Sequence, residues 1–178
     1  MTNTKNILAI CGSTKKLSTN LNLITAIADI SSPYFNITIF DGIDKLPHFN
    51  PDLDIDPAPE SIINFRKLLK KSDGVLICTP EYAMGVPGSL KNTLDWTVSS
   101  SDFSHKPVAL ITASLSGQKS HAALMETLIV IESKMTQATQ LIIPFVKVKV
   151  SADGKITDPI TLENVQLLLN AFRELIEG

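Results

Sequence analysis

Residues 7 to 20 decide the architecture of the chain, since a wholly apolar run meets a loop of small polar residues that opens a helix. They read Ile7-Leu8-Ala9-Ile10-Cys11-Gly12-Ser13-Thr14-Lys15-Lys16-Leu17-Ser18-Thr19-Asn20. An apolar run without polar alternation is typical of a strand buried on both faces, as in a parallel sheet. Beyond the loop, Ile24, Ile27 and Ala28 share one face of the following helix. The stretch therefore predicts a strand-loop-helix unit.

The same alternation continues along the whole chain. Apolar runs predict strands over residues 7–11, 37–40, 75–79, 108–113 and 141–150, and amphipathic stretches predict helices over residues 21–30, 62–69, 90–98, 124–135 and 162–176. Strands separated by helices predict an α/β fold. Right-handed crossovers then favour a doubly wound, five-stranded parallel sheet of the flavodoxin-like kind, with strand order 2-1-3-4-5. The 178 residues suit a single domain spanning 1–178.

Composition excludes several classes of partner. Sixteen basic and eighteen acidic residues leave a net charge of −2 without a dense basic run, so we expect no nucleic-acid partner. Residues 1–6 are polar, the apolar run after them is too short for a signal peptide, and no later stretch approaches a membrane span. Cys11 and Cys78 each close an apolar run, which indicates buried thiols in a reducing compartment. We therefore expect a cytoplasmic protein with no membrane partner.

The loop after the first predicted strand has the composition of an anion site. Its small polar residues and its first cation are Gly12, Ser13, Lys15, Ser18, Thr19 and Asn20. Unpaired N–H groups at a helix N-terminus, helped by hydroxyl and amide side chains, can cage a phosphate dianion. The loop has a single glycine and no Gly-Lys-Ser/Thr ending, which excludes a dinucleotide G-x-G-x-x-G loop and a Walker A loop. Simple capping of the helix by these side chains is an equal alternative.

The loop after the third predicted strand is the most specific feature of the sequence. It runs Pro80-Glu81-Tyr82-Ala83-Met84-Gly85-Val86-Pro87-Gly88 and then enters a helix. Tyr82 offers an aromatic face and Met84 a soft apolar contact, while Gly85 lets the backbone follow a flat ligand closely. Because ligands of this fold bind where loops leave the carboxyl ends of the strands, we expect a wall for a planar heterocycle here.

Together the two loops resemble one known family. The motifs Gly12-Ser13, Ser18-x-Asn20, Pro80-Glu81-Tyr82 and Leu90-Lys91-Asn92-x-x-Asp95-Trp96, with the stretch Leu46-Pro47-His48-Phe49-Asn50-Pro51-Asp52, are similar to those of the NADPH-dependent FMN reductases. That family includes quinone, azo-dye and chromate reductases. The resemblance implies a flavodoxin-like fold, bound FMN, a homodimer or homotetramer, and two-electron transfer from NADPH or NADH to a small-molecule acceptor. Because the flavin ring itself accepts the hydride, we expect the donor and the acceptor to use the same flavin face in turn.

The resemblance carries the site residues with it. Those expected at the cofactor are Gly12, Ser13, Lys15, Ser18, Thr19 and Asn20 in the phosphate loop, Pro80, Glu81, Tyr82, Ala83, Met84 and Gly85 in the ring loop, and Ser114, Ser116 and Gly117 in the loop after the fourth strand. Since the flavin ring carries the chemistry, no catalytic acid, base or nucleophile and no metal is expected.

Three positions depart from the family pattern. Lys15 stands where the family usually has arginine, and Ala83 replaces the asparagine that usually follows the tyrosine. The loop at 114–118 lacks the glycine-rich run of many members. The departures at Lys15 and Ala83 keep one alternative open, a regulatory domain that has kept the fold but lost the flavin. A flavodoxin-type electron carrier is the other alternative, and the near-neutral charge and the Pro80-Glu81-Tyr82 loop favour a reductase over it.

Other residues are interpreted as surface features. Asp52-x-Asp54-x-Asp56 lacks the glycine and glutamate of a calcium loop and is interpreted as a solvated loop. Four basic residues of the second helix, Arg66, Lys67, Lys70 and Lys71, are interpreted as its solvated face. The helix over 122–135 has little polar face, so we expect it, together with residues 90–98, to form a contact between two copies of the chain.

Overall fold

Five parallel strands form a single sheet in the computed structural model, which describes residues 4–178. The order across the sheet is β2-β1-β3-β4-β5, which confirms the predicted flavodoxin-like topology. The strands are β1 (Lys5–Cys11), β2 (Phe35–Ile39), β3 (Gly74–Thr79), β4 (Val108–Ser114) and β5 (Gln140–Pro144). β3 is buried along its whole length, as the unbroken apolar runs predict.

Helices cover both faces of this sheet. They are α1 (Thr19–Ser31), α2 (Glu60–Lys71), α3 (Gly88–Asp95), α4 (Gln118–Val130) and α5 (Pro159–Glu177). One core cluster joins Ile24 of α1 to Val165 of α5, and a second joins Phe65 of α2 to Leu94 of α3 and Leu128 of α4. The arrangement is therefore doubly wound, with two helices on one face and three on the other. No helix within residues 4–178 combines the length and the apolar character needed to cross a membrane.

Three predicted elements end several residues earlier than expected. The strand predicted over 141–150 stops at Pro144, because Phe145 turns into the left-handed region at φ 54° and a short 3₁₀ helix, Val146–Val148, follows. The helix predicted to reach residue 135 ends at Val130, and Glu132 adopts φ 60° just beyond it. A left-handed residue past the last turn is a common way to end a helix. α3 ends at Asp95 and not at residue 98.

The segment between β2 and α2 is held by α3. The carbonyl oxygen of Pro47 accepts hydrogen bonds from Asn92 Nδ2 at 3.0 Å and from Trp96 Nε1 at 2.8 Å. Phe49 donates its N–H to Asn92 Oδ1 at 2.7 Å and packs its ring edge-on against Trp96. Trp96 is fully buried. The Asn92 and Trp96 positions of the motif therefore fasten this long connection to the body of the fold.

Two charged residues that the sequence pattern placed in solvent are instead paired. Arg66 donates to Asp54 Oδ1 at 2.7 Å and through Nε to the Trp96 carbonyl oxygen at 3.0 Å, and the Asp54 side chain is only 8% exposed. Burial opposes ionisation of Asp54, but hydrogen bonds from Ser99 and Arg66 and the guanidinium charge outweigh it, so the pKa of Asp54 lies below 3.8. Helical periodicity could not reveal this pair, because the loop that supplies Asp54 folds back over α2.

The pair gives the protein a measurable pH dependence. Asp54→Asn should lower the free energy of unfolding by about 2 kcal/mol at pH 7. A carboxylate whose folded pKa is depressed stabilises the fold above its unfolded pKa, and this contribution is lost as the pH falls through the folded value. The difference between wild type and variant should therefore shrink below about pH 4 in urea titrations. Asp52→Asn, an exposed neighbour in the same loop, is the control. An equal loss at pH 7 and pH 3 would contradict the charge-based explanation.

Candidate functional site

The loops after β1, β3, β4 and β5 enclose a cavity of about 660 Å³ at the carboxyl edge of the sheet. The two loops singled out in the sequence meet there, since Ser13 Oγ lies 3.2 Å from the Tyr82 hydroxyl. The lining residues are Ser13, Lys15, Leu17, Ser18, Thr19, Asn20, Pro80, Tyr82, Ala113, Ser114, Leu115, Phe145, Val146, Lys147 and Val148. A cavity of this size, lined mostly by apolar surface with a few polar groups, is typical of cofactor sites.

Only some of the expected cofactor residues line this cavity. Those that do are Ser13, Lys15, Ser18, Thr19, Asn20, Pro80, Tyr82 and Ser114. Those that do not are Gly12, Glu81, Ala83, Met84, Gly85, Ser116 and Gly117. The second group lies in the same loops, and a direct role at a cofactor stays a prediction for the residues of both groups.

The N-terminus of α1 opens into the cavity without a side-chain cap. Ser18 has the extended backbone of an N-cap residue, but its hydroxyl makes no capping hydrogen bond, and the first turn contains no acidic residue. The first N–H groups of a helix have no partner within the helix, and together they carry its positive partial charge. Of the two alternatives left open by the sequence, the uncapped geometry favours an anion site.

Asn20 positions this helix. Its side chain is 4% exposed, donates through Nδ2 to the Ala113 carbonyl oxygen at 3.1 Å, and accepts from Cys78 Sγ at 3.3 Å. Burial, followed by the nearby Cys11 thiol, raises the pKa of Cys78, so its sulfur keeps the proton that it donates. The amide of Asn20 therefore ties the start of α1 to the ends of β3 and β4. The sequence pattern suggested a phosphate contact for this side chain and did not reveal these ties.

Gly12 serves close packing. A Cβ at this position would lie 2.2 Å from Oγ1 and 2.6 Å from Cβ of Thr79, which is fully buried at the end of β3. Its N–H also donates to the Cys78 carbonyl oxygen at 2.8 Å. Glycine is required here because the phosphate loop crosses directly over the neighbouring strand, and not because of a left-handed backbone.

The ring loop is a strained two-residue hairpin. Tyr82 and Gly85 exchange backbone hydrogen bonds at 3.1 and 2.9 Å, and the residues between them, Ala83 and Met84, have φ values of 48° and 61°. Positive φ at both central positions defines a type I′ turn, for which asparagine and glycine are strongly preferred. Ala83 therefore departs from the family pattern at a position where the left-handed backbone of the turn favours asparagine or glycine. Its methyl group does not line the cavity.

Glu81 connects the ring loop to the loop after β4. Its carboxylate accepts the N–H of Ser120 at 2.9 Å and that of Gly117 at 3.3 Å, which caps the N-terminus of α4. Its own N–H donates to Ser114 Oγ at 3.2 Å. An acidic side chain at a helix N-terminus is stabilising, because it satisfies free N–H groups and meets the positive end of the helix dipole. Glu81 thus holds two walls of the cavity together, a role that the sequence pattern did not indicate.

The segment after β5 also belongs to the site, and the sequence interpretation missed it. Phe145, Val146, Lys147 and Val148 line the cavity, and the Phe145 N–H donates to the Leu115 carbonyl oxygen at 3.3 Å. Phe145 is 61% exposed in the left-handed conformation, which is unusual for a bulky residue. These residues were missed because the sequence pattern assigned them to a strand over 141–150, although Pro144 indicated an earlier end of that strand.

Fold and site together define a class: an α/β protein of the flavodoxin-like fold with a large cavity at the switch point of its sheet. A family model of the NADPH-dependent FMN reductases matches residues 5–147, and the chain belongs to that family. It is therefore an oxidoreductase that works with FMN and NAD(P)H.

Similar proteins agree with this assignment. Quinone reductases of Pseudomonas putida and Escherichia coli are 27% identical over 164 residues (89% of this chain and 88% of the relative) and 26% identical over 178 residues (96% and 95%). The solved structure of FerB, a flavoenzyme NAD(P)H:(acceptor) oxidoreductase from Paracoccus denitrificans, superposes with a TM-score of 0.87 at 30% identity, covering 97% of each chain.

The residues present fit FMN. The uncapped start of α1, with Ser13, Ser18 and Lys15 around it, suits a phosphate dianion. Pro80 and Tyr82 supply a flat wall next to the phosphate loop, since the Tyr82 hydroxyl lies beside Ser13. The cavity volume lies within the range of 300–1,000 Å³ that is usual for sites of small ligands and cofactors.

The backbone strain at Met84 in the ring loop predicts a difference in the free energy of unfolding between two variants. Met84 is mostly exposed, so replacing it removes little packing. Met84→Gly should raise the free energy of unfolding by about 1 kcal/mol relative to Met84→Ala, because both variants lose the side chain but only glycine relieves the left-handed backbone. Urea denaturation of the two variants gives the comparison. A glycine variant no more stable than the alanine variant would show that the turn is unstrained.

Proposed function

We propose that this protein transfers two electrons from NADPH or NADH to a quinone, with FMN bound in the cavity at the carboxyl edge of the sheet. Bound FMN supplies the redox chemistry, since its ring can accept a hydride from a reduced nicotinamide and pass two electrons to an acceptor. The observation that carries the proposal is that an uncapped helix N-terminus and a proline-tyrosine wall line the same cavity.

The two ends of the cavity bind different parts of the cofactor. At the phosphate end, the N–H groups of α1 and the hydroxyls of Ser13 and Ser18 bind a dianion and so fix the position of the cofactor. At the ring end, Pro80 and Tyr82 orient a flat ring. Asn20 and Glu81 hold these two ends in a fixed relative position. The hydrogen bond of Asn20 ties the phosphate loop to the end of β4, and that of Glu81 ties the ring loop to the start of α4.

The rim of the cavity suits a flat, largely apolar acceptor. Leu17, Leu115 and Val148 line it and are largely exposed, and Tyr82 is exposed beside them. Lys15 and Lys147 are the only charged residues of the lining in the described part of the chain. An acceptor therefore meets apolar surface and few directional hydrogen-bonding groups, which supports quinones, the substrates named for the two bacterial relatives.

We also propose that the protein is a homodimer in the cytoplasm. On the outer face of α4, Ile129 is 62% and Val130 is 77% exposed, while Leu124 and Leu128 on the inner face are buried. Val98, after α3, is exposed as well. Apolar side chains on the outer faces of these two elements support a contact with a second copy of the chain. The buried free thiols of Cys11 and Cys78 suit a reducing compartment.

The enzymatic proposal predicts turnover without a partner protein. The purified chain, supplied with FMN, should oxidise NADPH or NADH when 1,4-benzoquinone is present, measured as the loss of nicotinamide absorbance at 340 nm. The same chain without flavin is the control and should be inactive. Failure of both nicotinamides to bleach the bound flavin in a stopped-flow experiment would exclude the reductase function.

The assembly proposal predicts that a charge on α4 separates the subunits. Wild type should have the mass of a dimer in light scattering at micromolar concentration, and Ile129→Glu should have the mass of a monomer, because an unpaired charge in an apolar contact is costly. Glu126→Gln, on an exposed position of the same helix, is the matched control and should leave the mass unchanged. A monomeric wild type would contradict the proposal.

A further inference from the structure

The cavity contains a second lysine that no motif of the sequence points to. Lys147 lines it from the 3₁₀ helix Val146–Val148, and Lys15 lines it from the phosphate loop. No carboxylate belongs to the lining. Within residues 4–178 neither lysine forms an ion pair. The cavity is therefore a region of positive charge with two free cations, one on each of two separate segments.

The segment that carries Lys147 lies beside the first turns of α1. Asn22 Nδ2 donates to the carbonyl oxygens of Ser151 and Ala152 at 3.3 and 3.4 Å. Further along the segment, a Cβ at Gly154 would lie 3.5 Å from Cβ of Thr25. These contacts place residues 151–154 alongside the first two turns of α1, and Lys147, a few residues earlier, lines the same cavity as Ser18 and Thr19 at the start of that helix.

The backbone around Lys147 is held on both sides. Val146 is buried in the core cluster that also contains Leu23 of α1. Before it, the left-handed Phe145 donates its N–H to the Leu115 carbonyl oxygen. The position of Lys147 at the cavity is therefore determined by packing against α1 and by a bond to the loop after β4.

We propose that Lys147 is a cofactor-binding residue that supplies the second cation for the phosphate of FMN. The inference rests on the proposed function, since it assumes that FMN occupies this cavity. A phosphate dianion accepts hydrogen bonds from several donors at once, and a lysine provides only a compact point charge where arginine provides a planar fork. A second lysine on a separate segment adds one more charge-assisted donor, which offsets the bidentate contact that Lys15 cannot make in place of arginine.

Binding measurements with two flavins test this inference. The flavin-free full chain is titrated into FMN and into riboflavin, which has the same ring and no phosphate, and the quenching of flavin fluorescence gives each Kd. Lys147→Gln should weaken FMN binding about tenfold, as expected for the loss of one charge-assisted contact, and leave riboflavin binding unchanged. Added salt should weaken FMN binding less in the variant than in wild type. Circular dichroism verifies that the variant is folded.

Two neighbouring lysines provide matched controls. Lys16 is next to Lys15 and Lys149 is two residues after Lys147, and neither lines the cavity. Lys16→Gln and Lys149→Gln should bind both flavins like wild type, whereas Lys15→Gln should resemble Lys147→Gln. General loss of positive charge would instead affect all four variants alike, which would overturn the assignment of Lys147.

Other outcomes separate this inference from the proposed function. If wild type binds no FMN, the proposed function fails together with the inference. If wild type binds FMN and Lys147→Gln binds it equally well, or loses FMN and riboflavin to the same extent, only the inference fails. A variant with unchanged FMN affinity and a raised KM for NADPH but not for NADH would place Lys147 at the nicotinamide donor's extra phosphate, which also overturns the inference.

Discussion

The buried amide of Asn20 is the interaction on which the site depends. It joins the first turn of α1 to β3 through the Cys78 thiol and to β4 through the Ala113 carbonyl oxygen. The start of a helix can be an anion site only if it is held at a fixed place relative to the rest of the ligand. Because Asn20 is almost fully buried, its hydrogen bonds are not in competition with water, and breaking them would leave polar groups unsatisfied in the core. The helix N-terminus is thus locked over the edge where β3 and β4 end.

Several residues of the family motifs in this chain have a structural role and do not line the cavity. Glu81 caps α4, Asn92 and Trp96 hold the connection before α2, and Gly12 allows two segments to cross. These residues fix the geometry of loops whose exposed positions, such as Tyr82, face the cavity. The division follows from the fold: loops at the edge of a parallel sheet have no regular hydrogen bonding of their own, so buried side chains must determine their shape.

The sheet order and the phosphate and ring loops were predictable because they follow from local patterns. Unbroken apolar runs identify parallel strands, and parallel strands bring their carboxyl ends to one edge, which places the loops after β1 and β3 together. The remaining features depend on contacts between distant segments. The Arg66 and Asp54 pair needs a loop to fold back, and the contribution of Lys147 needs the chain after β5 to pass α1. Pro144 was the local signal that the strand ends there. The prediction extended the strand to residue 150 because the residues after Pro144 are largely apolar.

Part of the backbone strain of the described chain lies in the loops of the site. Of the six non-glycine residues with positive φ in residues 4–178, Ala83, Met84 and Phe145 belong to the ring loop and to the segment after β5. Such conformations cost of order 1 kcal/mol each and persist only where surrounding contacts hold them. Here the Tyr82–Gly85 hairpin bonds and the bond between Phe145 and Leu115 do so. Phe145 thereby joins Leu17, Leu115 and Val148 among the exposed apolar side chains that line the cavity. A rim of this kind selects acceptors by flatness and apolar surface, because it has few groups with which to read their hydrogen-bonding pattern.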